Sequence, residues 1–195
     1  MERILPRWGW RTFGDLGAAE TGILSRGASR AIACVETHVV SRASSHGTEI
    51  RDGCVNVRKL DAVDSGLERW KPVLRSRFPL TAEVVTDVFA AWNVTAPSPL
   101  DGAAYSLEEF LGGFVRTHTH LSSVVVEKEG RALTIGVCAV EFARLTLDGT
   151  PTFTAAVEAE DPLAVLQTVR SLGLDGLENI SYVRALKRLR GIPVV

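Results

Sequence analysis

Cysteine is scarce. Cys34, Cys54 and Cys138 are the whole complement of a 195-residue chain, and no two of them form a CxxC pair. An odd number of widely spaced thiols indicates neither a zinc centre nor a disulfide framework, and it favours a reducing compartment. No apolar run approaches the roughly 20 residues of a membrane span, and the first residues carry no signal-peptide core. The expectation is a cytoplasmic protein without membrane contact. Positive charge is not in excess either, with 22 Lys and Arg against 23 Asp and Glu. With only two tyrosines as well, nucleic acid is a disfavoured partner, and any anion site has to come from local arrangement. A P-loop, a GxGxxG after a strand and a GxSxG elbow are all missing, so those nucleotide and acyl-transfer frameworks find no support.

What is present suits one globular core. Hydrophobic residues make up 46% and charged ones 23%, which argues against disorder, and the length predicts a single domain over 1–195. RWGWRTFG (7–14) alternates as a strand, with Trp8, Trp10 and Thr12 on one face and Arg7, Gly9, Arg11 and Phe13 on the other. ACVETHVVSR (33–42) reads as another strand. In TEIRDGCVNVRKL the Asp52-Gly53 pair predicts a two-residue hairpin turn, since glycine tolerates the positive φ that such turns need. Arg51 then faces Cys54, Ile50 faces Val55, Glu49 faces Asn56 and Thr48 faces Val57. One face carries Ile50, Val55 and Val57; the other carries Glu49, Arg51, Asn56 and Arg58.

Through GLERWKPVLRSRFP the alternation fades, and Arg69, Lys71, Arg75 and Arg77 form a charge run. A helical insertion is predicted at about 79–116. Its first helix has a Val84, Val85, Val88, Phe89 and Trp92 stripe; its second opens with a Ser106–Glu109 capping box and ends at Gly112-Gly113. His118 and His120 fall on one face of a predicted strand without a Cys or Asp to complete a metal set. Strand character returns in LSSVVVEK, ALTIGVCAVEFARLTL and TPTFTAAVEAE, with a turn expected at Asp148-Gly149, and EKEGR reads equally as a charged turn. Asp161 and Pro162 open a helix with a Leu163–Leu166–Val169 stripe, and Gly173 stops it. SYVRALKRLR predicts a closing helix with a basic outer face.

The succession CAVEFARLTLDG, TFTAAVEAEDPLAVLQTVRSLGL and NISYVRAL resembles the end of CYTH domains, the triphosphate tunnel metalloenzymes. Glu141, Glu158, Glu160, Leu172-Gly173-Leu174 and Ser181-Tyr182 stand where that family has a strand Glu, a Glu-x-Glu, a helix stop and a closing Ser-Tyr helix. The resemblance implies an α+β fold: an antiparallel eight-stranded tunnel-type β-barrel with a central helical insertion and C-terminal helices. It implies triphosphate contacts from Arg11, Arg51, Arg58, Lys128 and Arg131, and Mg²⁺ or Mn²⁺ held by Glu158, Glu160 and Glu141. The family opens on Glu-x-Glu-x-Lys. With Arg11 in the Lys place, Arg7 and Gly9 occupy the two acidic positions, which removes half of the usual metal carboxylates.

The function expected is therefore binding of triphosphate, polyphosphate or a nucleoside triphosphate by a divergent, non-catalytic module. Two alternatives stay open: a metal-dependent triphosphatase, and a protein-interaction scaffold without a ligand. A protein partner or a homo-oligomer also stays open. The plain reading of each candidate is a solvated strand face with cross-strand Glu–Arg pairs, or, for Glu158 and Glu160, anions near a helix N-terminus.

Overall fold

A computed structural model describes residues 6–193 of the chain. Its eight strands are β1 (Arg7–Gly14), β2 (Ser29–Ser41), β3 (Gly47–Arg51), β4 (Cys54–Asp64), β5 (Leu67–Arg77), β6 (Leu121–Ile135), β7 (Cys138–Leu147) and β8 (Thr150–Ala159). They close into an antiparallel barrel in the order β1-β5-β4-β3-β2-β6-β7-β8, with β8 returning to β1. Four α-helices accompany them: α1 (Gly17–Leu24), α2 (Ala82–Ala91), α3 (Pro162–Ser171) and α4 (Tyr182–Leu189). A π-helix spans Glu109–Val115. This is the α+β tunnel-type barrel that the C-terminal motifs imply. The chain divides into two compact units, one holding the chain up to Val35, Leu60–Lys71 and Val126–Ser181, the other Glu36–Lys59, Pro72–Val125 and the chain from Tyr182.

In the first unit the alternation of β1 does what its sequence predicts. Trp10, 5% exposed, packs with Leu16, Ile23, Val140, Phe142, Ala155, Val157, Val165 and Val169, and Trp8 packs against the same cluster. The outer faces of β1, β7 and β8 thus meet α1 and α3, and Arg11 points the other way. Asp161 caps α3 by accepting from Leu163 N at 2.9 Å, and Gly173 ends it with φ 69°. The buried stripe of α3 is Val165, Thr168 and Val169, with Leu163 exposed, so the expected stripe is rotated by part of a turn.

In the second unit the hairpin register is the one read from the sequence, with Asp52 and Gly53 both at positive φ. Ile50, Val55 and Val57 pack with Val85, Val88, Phe89, Trp92 and Phe110, and Trp92 Nε1 donates to Thr48 Oγ1 at 2.7 Å. The capping box forms: Ser106 N donates to Glu109 Oε2 at 2.7 Å and Glu109 N to Ser106 Oγ at 3.2 Å. The Ser106 N–H, followed by its hydroxyl, holds the Glu109 carboxyl below its ordinary value. Gly112 and Gly113 do not end this helix. The chain widens into a π-helix through both glycines, and Arg116 N reaches Leu111 O at 2.9 Å. On α4 the basic face is not wholly outside: Lys187 is 1% exposed, its Nζ donates to Ser44 O at 2.8 Å, and burial pushes the ammonium below its ordinary value.

Three other expectations are corrected. The run over 67–77 is a full strand, its pattern masked by charge on one side and by Trp70 and Pro72 on the other. The charged-turn alternative for EKEGR falls, because β6 runs straight through it and reverses at Gly136, φ 58°. His118 and His120 lie in the irregular segment before β6, where His118 Nδ1 accepts from His120 N at 3.2 Å.

Gly130 is a glycine because of close approach. A Cβ there would run into Phe142 O and into Ala143 of the neighbouring strand. Gly130→Ala is expected to lower stability by about 1–3 kcal/mol through overpacking, read as a shift of the denaturant midpoint at unchanged slope.

Candidate functional site

Successive strand residues point to opposite sides, and paired residues of neighbouring strands point to the same side. With Trp10 outward, the registers Arg11↔Ala156, Gly9↔Glu158, Glu141↔Ala156 and Ala132↔Glu141 bring Arg11, Glu141 and Glu158 to the inward face of the first unit. Arg11 Nη1 donates to Glu141 Oε1 and to Thr154 Oγ1, both at 3.1 Å, and Lys128 Nζ stands 3.5 Å from the same carboxylate oxygen. Lys128 is 5% exposed, so Glu141 neutralises an otherwise costly buried ammonium. A cavity of about 590 Å³ opens here, lined by Arg11, Arg30, Thr134, Glu141, Ala156 and Glu158 among others. That volume lies within the usual range of small-ligand sites.

Two residues of this face escape the sequence reading. Arg30 on β2 lines the cavity, is exposed, and forms no ion pair among the described residues. Glu68 on β5 is 6% exposed and lies opposite Gly9 on one side, as Glu158 does on the other. Gly9, at a position where an acid is expected, is thus flanked by two acids from neighbouring strands.

Other expected residues fall elsewhere. Arg131 pairs with the core residue Phe142 and is exposed on the outward face, because three positions along a strand reverse the direction set by Lys128. Glu160 lies one residue beyond the end of β8, exposed and outside the cavity lining, while Glu158 lines the cavity.

In the second unit, Arg51 and Arg58 occupy the hairpin face opposite Val55 and Val57. Arg51 Nη1 donates to Glu36 Oε1 at 3.0 Å, and its Nε lies 3.5 Å from Glu49 Oε1. Leu74 and Phe78 of the adjoining β5 segment pack with the Val55–Val57 cluster, which turns Arg75 and Arg77 to the charged side. Phe78 N donates to Gly53 O at 2.9 Å, fixing that end of β5 to the hairpin turn. Arg58, Arg75 and Arg77 are exposed and form no ion pair among the described residues. The available signal was the every-second-residue spacing in LRSR, hidden inside what read as a charge run. Glu36, His38 and Glu49 gather on this same face.

No protein-family model matches the sequence, and no curated protein matches it. Solved structures do. A candidate adenylate cyclase from Bacillus halodurans superposes with a TM-score of 0.51 at 8% identity, covering 92% of this chain and 95% of that one. The fold is CYTH-like. A candidate adenylyl cyclase from Hippeastrum, described as having a dominant triphosphatase activity, gives 0.50 at 9% identity over 96% and 97% of the two chains. Identities this low carry the CYTH-like architecture and nothing of its chemistry. No helix among the described residues is long and apolar enough to cross a membrane.

Within the CYTH-like barrel the Glu141 triad gives a direct test. Glu141→Ala is expected to cost about 1–3 kcal/mol by leaving Lys128 short of a counter-charge, and Lys128→Met in that background is expected to recover part of the loss in thermal melts.

Proposed function

We propose that the chain binds a phosphate-rich anion, such as triphosphate, polyphosphate or a nucleoside triphosphate, through inward-facing arginines and lysine of its barrel. The observation that carries this reading is the set of cations without acidic partners among the described residues on charged faces: Arg30 in the first unit, and Arg58, Arg75 and Arg77 in the second. Within each unit an unpaired cation is relieved by an anion, and guanidinium groups match phosphate oxygens in forked pairs. Arg11 and Lys128 are held by Glu141, and a phosphate would compete with that carboxylate for them. A barrel of this architecture is described as having a dominant triphosphatase activity in the Hippeastrum protein, so the fold itself is compatible with this ligand class.

The donor set suits a divalent metal in a limited way. Mg²⁺ is commonly held by one or two carboxylates plus phosphate oxygens, and half-buried Glu158 beside the Cβ-less Gly9 offers such a carboxylate. When bound, the ion would supply charge neutralisation to the phosphates. Glu141 is already engaged by Arg11 and Lys128, and Glu160 is not among the residues lining the cavity, so Glu158 is the carboxylate of the three first expected that is best placed for it. This favours binding over metal-dependent hydrolysis.

Isothermal titration with tripolyphosphate and with ATP, at low salt and with or without Mg²⁺, tests the reading. Arg58→Ala and Arg75→Ala are each expected to weaken binding by about 1–3 kcal/mol, the worth of a charge-assisted hydrogen bond. Unchanged affinity in both variants contradicts the assignment. Release of phosphate above a protein-free control replaces the binding module with a triphosphatase.

A further inference from the structure

One buried cluster of the second unit takes no part in that anion contact. His38 on β2 pairs in register with Glu49 on β3, and Glu36 lies two residues along the same face. One ligand atom from each of the three residues lies within 4.8 Å of the others. Glu36 is 1% exposed and His38 6%. Glu49 is half-buried, and a carboxylate as deep as Glu36 is costly unless a partner neutralises it. The cation standing there is the guanidinium of Arg51, 3.0 Å from Glu36 Oε1 and 3.5 Å from Glu49 Oε1.

Arg51 is an exchangeable occupant. Its side chain is 43% exposed, and it has another partner within reach in Asp52 at the hairpin turn, 3.6 Å from Nε. The histidine, in contrast, is fixed. Its ring stacks on Tyr182 with centroids 4.7 Å apart and planes 10° apart, and Nε2 lies 3.1 Å from Glu36 Oε2. A preoriented imidazole nitrogen beside two carboxylates is a ligand set, whereas a pair of carboxylates alone would be only a salt-bridge acceptor.

We propose that Glu36, His38 and Glu49 bind a divalent first-row transition ion of the Mn²⁺–Zn²⁺ class, in exchange for the Arg51 guanidinium. One nitrogen and two carboxylate oxygens suit these borderline ions. Mg²⁺ and Ca²⁺ prefer oxygen ligands throughout and are disfavoured here. The two carboxylates balance the charge of the ion, so the exchange swaps one neutralising cation for another. This site is independent of the phosphate reading.

The test titrates metal-free full-length protein with Mn²⁺, Co²⁺ and Zn²⁺ alone, without phosphate, by calorimetry, with the visible absorption of Co²⁺ as a second readout. One ion per chain is expected. Glu49→Gln and His38→Phe, the latter keeping a ring against Tyr182, are expected to abolish binding and change the Co²⁺ spectrum; thermal melts verify that both variants fold. Arg51→Ala is expected to tighten the ion by about tenfold, because a competing cation is gone, a factor equivalent to ~1.4 kcal/mol. A merely structural ion-pair cluster gives the opposite results: no stoichiometric ion, or binding that survives both ligand variants, or no gain from Arg51→Ala. Any of these overturns the proposal. Because phosphate is absent, such a failure leaves the anion reading standing, and failure with tripolyphosphate leaves this one standing.

Discussion

Closing an antiparallel sheet on itself gives every strand two faces with different neighbours, and the rest of this structure follows from that constraint. Side chains alternate, so whatever a strand presents to the surrounding helices on one residue, it presents inward on the next. Trp8 and Trp10 pack on the helix side of β1 and leave Arg11 inside. Val55 and Val57 pack on the helix side of β4 and leave Asn56 and Arg58 on the other. The hydrophobic core is consequently a set of outer clusters between sheet and helices, and the inward faces are free to be charged.

Charge on those faces is managed unevenly. Glu141 serves Arg11 and Lys128 together, and Thr154 takes a further hydrogen bond from Arg11. Glu36 is held by Arg51 and His38. The first of these groups is settled, and disturbing it affects stability before it affects any ligand. Arg30, Arg58, Arg75 and Arg77 have no such partner among the described residues. Arginines left without acidic partners on the charged strand faces add little to a barrel's stability, and it is this imbalance that the anion reading explains. At position 9 the lack of a side chain leaves room between Glu68 and Glu158 of the neighbouring strands.

Legibility from sequence tracked how local the determinant is. The hairpin register over 47–58 could be read outright, because Asp52-Gly53 permits one turn geometry and the alternation on both sides agrees with it. The caps of α3 and the face of β1 were legible for the same reason. Features set by a neighbouring strand were not. Gly130 looked like a turn residue but is glycine because β7 passes too close for a side chain. Lys128 and Arg131 looked like a pair, though an odd spacing puts them on opposite faces. Arg75 and Arg77 were hidden because Trp70 and Pro72 blur the period of β5, and only the packing of Leu74 with the hairpin cluster shows which way they point. Gly112 and Gly113 were misread as a stop because a π-helix accommodates what an α-helix would use as its end.

The most direct measurement is the melting temperature of the wild-type chain against tripolyphosphate concentration, at constant ionic strength, with orthophosphate and sulfate as controls. A ligand that binds only the folded state raises the midpoint in proportion to the logarithm of its concentration once the site is saturated. The account predicts a saturating binding signature and a rise of several degrees with tripolyphosphate at concentrations where orthophosphate and sulfate have little effect. Equal shifts with all three anions, or no shift, would contradict it.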